Sequence, residues 1–121
     1  MGQRTYSDRQ EDGIVLAWEV ERLWEMTRNF PRRQVPLTEI RDFDLVTWFD
    51  SKQHLPTCRA VAEHARKIME AEFNYPVILS AKGHVMDGMH RIAKAWLLGH
   101  ETIEAVQFDE DPEPDERVKV K

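Results

Sequence analysis

The sequence predicts an α+β fold, in which a small mixed sheet is flanked by helices and preceded by an extra N-terminal helix. Two short apolar runs, 77–79 and 84–86, are separated by a turn-forming Ala-Lys-Gly tripeptide, which indicates a β-hairpin. Helical spacing of apolar residues begins directly after Gly88 and stops at Gly99. Residues 102–108 then alternate strongly enough to predict another strand.

Length and composition indicate a single soluble domain. The chain has 121 residues, enough for one hydrophobic core, and a formal net charge of -5. No apolar run approaches the length of a membrane span, and the N-terminus lacks the apolar core of a signal peptide. The single cysteine, Cys58, fits a reducing compartment. We therefore expect a cytoplasmic protein with no membrane partner, and the negative charge without a basic stripe weighs against nucleic acid.

Residues 1–34 are predicted to form a helical extension, with one helix from Ser7 or Asp8 to about Phe30. Asp12 is a candidate N-cap for this helix. A stripe of side chains recurs at helical spacing: Leu16, Val20, Leu23, Trp24 and Thr27. Such a stripe packs against a core or forms a dimer interface, so a homodimer through this helix is one expected assembly.

The following elements are predicted to be short. Pro36 cannot donate within a ladder and holds the preceding residue extended, which predicts an edge strand over 35–37. Asp42 or Asp44 would cap a short helix that continues to about Phe49.

A second long helix is predicted from its N-cap, Thr57, to about Phe73. His64 lies on its apolar face, where a lone histidine is typically a hydrogen-bonded core or border residue. Residues 109–121 contain six acidic residues, three basic residues and two prolines without periodicity, which predicts a flexible acidic tail. The body of the domain would then span 35–108.

The candidate functional site is the turn Asp87-Gly88-Met89-His90-Arg91, where the predicted hairpin meets a helix. The first N–H groups of a helix have no partner within it and carry partial positive charge, so they attract anions. Gly88 leaves the backbone open to a ligand, while His90 and Arg91 add donors suited to phosphate oxygens. The alternative is a tight turn in which Arg91 pairs with Asp87 or an acidic tail and His90 bonds a local carbonyl. The residue chemistry favours neither interpretation.

Two carboxylates, Asp87 and Glu39, are candidates for a general base beside such a phosphate cradle. The alternatives are a capping or magnesium-orienting role for Asp87 and a solvated turn carboxylate for Glu39. A metal site built from His84, Asp87 and His90 is not predicted, because a hairpin would point the first two to opposite faces.

The order of these elements resembles the ParB/sulfiredoxin superfamily over roughly residues 35–108. Three pieces carry the resemblance: Val35-Pro36-Leu37-Thr38-Glu39-Ile40, Tyr75-Pro76-Val77-Ile78-Leu79 and, as the most specific, Asp87-Gly88-Met89-His90-Arg91. The resemblance implies a small α/β fold in which a Gly-x-His-Arg turn binds the phosphates of a nucleotide. By position, the phosphate-binding residues would be Gly88, His90 and Arg91, with Met89 in the same turn.

Met89 distinguishes between branches of this superfamily. It stands where sulfiredoxins carry their reactive cysteine, and a thioether cannot act as that nucleophile, so the chain is not expected to be a sulfiredoxin. Chromosome-partitioning ParB proteins carry a glutamate and a second arginine around this turn, where Met89 and His90 stand here. The Asp-Gly-x-His-Arg order is similar to that of free-serine kinases, in which a carboxylate positions or deprotonates the acceptor hydroxyl. Asp87 matches that carboxylate by position, and Glu39 would be the second carboxylate.

The sequence thus predicts a stand-alone ParB-like domain that binds a nucleotide or another phosphorylated small molecule at the turn 87–91. The expected cofactors are ATP, ADP or CTP with Mg²⁺. If the chain is an enzyme, the expected class is a magnesium-dependent phosphotransferase or nucleotide hydrolase. The alternative is a non-catalytic protein-interaction or nucleotide-sensing module.

Overall fold

The computed structural model describes residues 4–119, which form two sheets and three α-helices. In chain order the elements are β1 (Thr5–Arg9), β2 (Ile14–Glu19), α1 (Val20–Thr27), β3 (Arg33–Pro36), α2 (Cys58–Glu70), β4 (Val77–Leu79), β5 (Val85–Asp87), α3 (Met89–Leu97), β6 (Thr102–Gln107) and β7 (Glu116–Lys119). The predicted α+β class is confirmed. Residues 1–3 of the predicted N-terminal extension and residues 120–121 of the predicted tail lie outside the described residues.

The first sheet is antiparallel, with β2 between β1 and β7. Its first two strands correct the prediction of a helix from residue 7 or 8 to 30, because only α1 within that range is helical. Gly13 has a φ of 82°, and the Asp12 carboxylate accepts a hydrogen bond from the Ile14 N–H at 3.0 Å. Asp12 is therefore a turn residue and not a helix N-cap. An Asp-Gly pair between alternating residues favours a hairpin over a helix.

Strand β7 corrects the prediction of a flexible acidic tail, because it pairs with β2. The residues before β7 are also bonded to β2. Trp18 Nε1 donates to the carbonyl of Pro112 at 2.8 Å, and the Glu19 N–H donates to Asp115 Oδ2 at 2.7 Å. The described part of the predicted tail therefore ends in a strand of the first sheet, and the residues that lead to this strand are bonded to β2.

The second sheet has the order β3-β6-β4-β5, with β4 parallel to β6 and the other pairs antiparallel. As predicted, β3 is an edge strand, where the missing N–H of Pro36 breaks no ladder. The predicted hairpin is also confirmed and consists of β4 and β5, with Gly83 in its turn at a φ of 88°. Helix α3 begins directly after Gly88 and is followed by Gly99 at a φ of 82°, as the sequence predicts.

The connection from β3 to α2 differs from its prediction. Two short 3₁₀ helices, Leu37–Glu39 and Arg41–Asp44, replace the predicted helix up to Phe49. The Asp42 carboxylate lies at the start of β5, where it accepts from the Val85 N–H at 2.8 Å. Helix α2 has the predicted N-cap, since the Thr57 hydroxyl accepts from the N–H of Ala60 at 3.1 Å.

The second sheet is buried on both faces. Successive residues of a strand point to opposite sides of a sheet, and here each side packs against its own cluster. Val77 and Leu79 of β4 belong to a cluster that includes Ile92 of α3. Ile78, between them, belongs to a second cluster with Leu23 of α1. This two-sided packing accounts for strands without polar alternation. Within residues 4–119, no helix is long and apolar enough to cross a membrane.

Candidate functional site

The buried carboxylate of Asp87, the last residue of β5, is the centre of a cluster of polar contacts. Its side chain is 4% exposed. Oδ2 accepts from Trp24 Nε1 at 2.7 Å and from Arg91 Nη2 at 2.9 Å. Oδ1 lies 3.2 Å from Arg4 Nη1. These four side chains, named the Asp87 cluster below, satisfy a charge that would be costly to bury alone.

Arg91 is the second buried member of the Asp87 cluster, with 11% of its side chain exposed. Besides its bond to Asp87, its Nη1 donates to the carbonyls of Tyr75 and Pro76. Burial lowers the pKa of Arg91, and the neighbouring carboxylate acts in the opposite direction. The Arg91–Asp87 pair is the one expected from the tight-turn interpretation of the sequence. The guanidinium is therefore already engaged by the chain itself.

Gly88 is required at its position by the packing of the chain. Its φ is 114°, and a Cβ there would lie 2.9 Å from Val77 Cγ2 and 3.1 Å from Arg91 Nη2. Among the described residues, no side chain caps the N-terminus of α3 at Gly88. The first N–H groups of α3, from Met89 onwards, consequently keep their capacity to donate to an external anion.

His90 forms a hydrogen-bonded pair with a histidine of α2. Its Nε2 lies 2.8 Å from His64 Nδ1, and the two rings are inclined by only 12°. Trp48 stacks on both rings, with centroids 4.5 Å from His90 and 4.4 Å from His64. The prediction that His64 is a hydrogen-bonded border residue is confirmed, whereas the bonded partner of His90 is a side chain and not a local carbonyl.

Both histidines of this pair have lowered pKa values. Burial lowers the pKa of His90 to about 4, with His64, Lys67 and Arg4 adding to the effect. Burial and then Lys67 lower the pKa of His64. The pair is therefore neutral near neutral pH, with one nitrogen donating and the other accepting. It adds polarity beside the turn but no positive charge.

Glu39, the second candidate carboxylate, lies away from Asp87. It ends a 3₁₀ turn whose first residue, Leu37, donates its N–H to the carbonyl of Glu101, beyond the C-terminal end of α3. Asp87 precedes the N-terminal end of the same helix, whose nine residues span about 13 Å. The structure therefore does not bring the two predicted catalytic carboxylates together.

Arg4, Trp24 and Tyr75 lie at this site but were not predicted from the sequence to be site residues. Arg4 precedes the predicted elements and carries no local signal. Trp24 was assigned to a packing stripe, although a partly buried indole N–H generally needs a partner. Its ring lies nearly parallel to that of Tyr75, with centroids 6.5 Å apart, and Arg4 Cζ lies 5.0 Å from its centroid on the ring face. The rings of Trp24 and Tyr75 are both exposed.

The charges around Asp87 do not cancel. Two guanidinium groups face one carboxylate, and the side chain of Arg4 is 60% exposed. A surplus positive charge thus stands beside the N-terminal turn of α3, where the helix dipole has the same sign. This arrangement favours an anion. It does not favour proton abstraction by Asp87, because both carboxylate oxygens already have donors or cations beside them.

Comparison with known proteins finds little similarity in sequence. No protein-family model matches the chain, and no curated protein sequence matches it. A solved structure of a Pnob8-like ParB-N domain is similar at 16% identity and a TM-score of 0.41. The match covers 69% of this chain and 31% of that one, so the present chain spans less than a third of that chain's length.

Proposed function

We propose that the chain binds a phosphorylated ligand, specifically a nucleotide, at the N-terminal turn of α3 beside the Asp87 cluster. The observation that carries the proposal is the surplus positive charge at this turn. Arg91 neutralises Asp87 from the buried side, and Arg4 adds a second guanidinium that is 60% exposed. Arg4 can therefore donate to a phosphate without breaking the buried ion pair.

The backbone of α3 supports the same ligand class. The first N–H groups of a helix point along its axis towards an incoming anion, and they are not capped by a side chain here. Gly88, at the N-cap, has no side chain that could cap these N–H groups, and its Cβ position faces Val77 and Arg91. The cation and the N–H groups lie at one end of one helix, so a single phosphate group would be bound by both.

Two exposed aromatic rings favour a nucleotide over inorganic phosphate. Trp24 and Tyr75 lie next to Arg4 and Arg91 and are 45% and 65% exposed, although Arg4 already lies over one face of the Trp24 ring. A nucleobase can stack on an exposed aromatic ring, and such stacking depends little on which base it is. The resemblance of the turn 87–91 to nucleotide-binding turns of the ParB/sulfiredoxin superfamily points to the same ligand class.

We propose binding without catalysis. A general base needs a free lone pair within reach of the substrate, and the Asp87 oxygens are engaged by Trp24, Arg91 and Arg4. The same contacts make Asp87 a poor ligand for Mg²⁺, which would instead arrive on the phosphates of the nucleotide. A nucleotide-sensing module therefore fits the geometry better than a phosphotransferase or nucleotide hydrolase.

Isothermal titration of ATP, ADP and CTP, each with and without Mg²⁺, tests the proposal. The wild type is compared with Arg4→Ala, which removes the exposed cation and leaves the Asp87–Arg91 pair in place. Arg117→Ala is the matched control, because Arg117 is an exposed arginine on β7. We expect Arg4→Ala to weaken binding by about tenfold or more, since a charge-assisted bond is lost. Arg117→Ala should bind like the wild type.

A second variant separates phosphate binding from stacking of the base. Tyr75→Ala removes an exposed ring, so it should weaken nucleotide binding while leaving the affinity for tripolyphosphate unchanged. If the wild type binds none of the three nucleotides, with or without Mg²⁺, the proposed function is wrong. If Arg4→Ala binds as tightly as the wild type, the site lies elsewhere.

A further inference from the structure

Helix α2 carries an apolar stripe that no part of the described chain covers. No residue of α2 is fully buried. Its half-buried residues are spaced four apart, at Ala60, His64 and Ile68, and His64 contacts α3 through His90. The adjacent face is exposed over three turns and is named the α2 stripe: Cys58, Val61, Ala62, Ala65 and Met69. Val61 is 49% exposed and Met69 is 75% exposed.

The charges beside the α2 stripe are complementary to themselves in reverse order. Along one flank the order is Arg59, Glu63, Arg66 and Glu70. When a second α2 is placed antiparallel, Arg59 of one copy lies opposite Glu70 of the other, and Glu63 lies opposite Arg66. A two-fold axis normal to the plane of the two helices keeps both charged flanks on the same side of that plane. Each of the two ion pairs therefore occurs twice.

We propose that this protein forms a homodimer in which the α2 stripes of two copies pack antiparallel across a two-fold axis. The register is the one set by the Arg59–Glu70 and Glu63–Arg66 pairs between copies. In this register Met69 falls between Cys58 and Val61 of the second copy, and Ala65 lies next to Ala65 of the second copy. Small side chains at the centre allow the two helices to approach closely.

The homodimer expected from the sequence uses a different surface, the N-terminal helix. In the structure Val20, Leu23 and Thr27 of α1 are buried within the chain's own core, so α1 offers no comparable stripe. The apolar area on α2 is instead exposed and bordered by charges of both signs, as at the edge of a protein interface.

Sedimentation velocity over a concentration series tests the interface through a charge swap. Arg59 and Glu70 are separated by 11 residues, about 16 Å along one helix, so they cannot pair within a chain. Arg59→Glu places like charges opposite each other twice and should raise the dimer dissociation constant by about tenfold or more. The double variant Arg59→Glu/Glu70→Arg should restore dimerisation, because the pairs re-form with opposite polarity.

A matched pair of apolar substitutions tests the α2 stripe itself. Val61 and Val118 are each 49% exposed, the first on α2 and the second on β7. We expect Val61→Glu to be monomeric and Val118→Glu to dimerise like the wild type. A wild type that is monomeric throughout the series overturns the proposal. A dimer that survives both Arg59→Glu and Val61→Glu overturns it as well, by placing the interface elsewhere.

Disulfide cross-linking tests the antiparallel orientation. In the proposed register the two Cys58 residues are 13 positions apart along the axis, about 20 Å, which no disulfide spans. The two Ala65 residues are offset by about 1.5 Å along the axis and face each other. Under mild oxidation, Cys58→Ser/Ala65→Cys should therefore cross-link into a covalent dimer, whereas the wild type should not. Cross-linking of the wild type through Cys58, without cross-linking of the double variant, overturns the antiparallel register.

Discussion

Asp87 and Arg91 form a buried ion pair, in which Arg91 Nη2 lies 2.9 Å from Asp87 Oδ2 and both side chains are shielded from solvent. The pair joins the end of β5 to the first turn of α3. Because Trp24 also donates to Asp87, the pair ties α1 to the same turn. The candidate site and the packing of three elements therefore depend on one carboxylate.

Removing the carboxylate should destabilise the fold strongly. Asp87→Ala leaves the buried guanidinium of Arg91 and the partly buried indole N–H of Trp24 each with a partner missing, which we expect to cost about 3–5 kcal/mol in the free energy of unfolding. Glu113→Ala is a matched control, since Glu113 pairs with Arg117 at the same i,i+4 spacing but on the surface. It should cost no more than about 1 kcal/mol. Urea unfolding measures both, and equal losses would show that the buried pair does not stabilise the fold.

Gly88 should tolerate alanine less well than Gly83, although both have positive φ. Gly83→Ala meets open space, so only the backbone conformation opposes it, at roughly 1–2 kcal/mol. Gly88→Ala adds a Cβ 2.9 Å from Val77 Cγ2, and relieving that overlap should cost about 1–3 kcal/mol more. The difference between the two unfolding free energies isolates the close approach of Gly88 to β4. A difference near zero would contradict the packing role of Gly88.

The His64–His90 pair should make stability depend on pH. The pKa of His90 is about 4 in the folded chain against 6.5 for a free histidine, so between these values the unfolded chain binds more protons. Stability should therefore fall as the pH decreases from about 6.5 towards about 4, and the lowered pKa of His64 acts in the same direction. Lys67 and Arg4 strengthen the shift at His90, whereas Asp87 opposes it.

Urea unfolding at about pH 7 and about pH 5 measures this dependence. We expect the double variant His64→Gln/His90→Gln to lose less stability than the wild type between the two pH values. His100→Gln is the control, because His100 is an exposed histidine outside the pair. An undiminished loss in the double variant would assign the pH dependence to other groups.

The acidic C-terminal segment should be needed for stability. A chain that ends at Phe108 lacks β7 and the Pro112 carbonyl that binds the indole of the buried Trp18. The unpaired indole N–H by itself should cost about 1–3 kcal/mol of unfolding free energy. Thermal unfolding followed by circular dichroism measures the loss, with a chain that ends at Lys119 as the control. Equal midpoints for both chains would restore the interpretation of this segment as a tail.

Several elements were predictable because their signals are local. The turn at Gly83, the helix start at Gly88, the stop at Gly99 and the N-cap at Thr57 each depend on the conformation of a few consecutive residues. The hairpin at Asp12-Gly13 has an equally local signal, but the helical spacing of the apolar residues that follow it predicts a helix. The prediction of one helix was wrong because a strand that runs directly into a helix, as β2 runs into α1, can show the same spacing of apolar residues.

The sequence by itself determined the α+β class and identified the turn at Asp87 as the point where a strand meets a helix. Only the tertiary structure decided what surrounds that turn. Trp24 lies 63 positions from Asp87, and His64 lies 26 from His90, so no periodicity in the chain connects them. The same holds for residues 116–119 of the acidic segment, which form a strand because the edge of β2 is available to pair with them. Contacts between distant residues depend on how the faces of the elements pack, and that packing is not encoded in any single stretch of sequence.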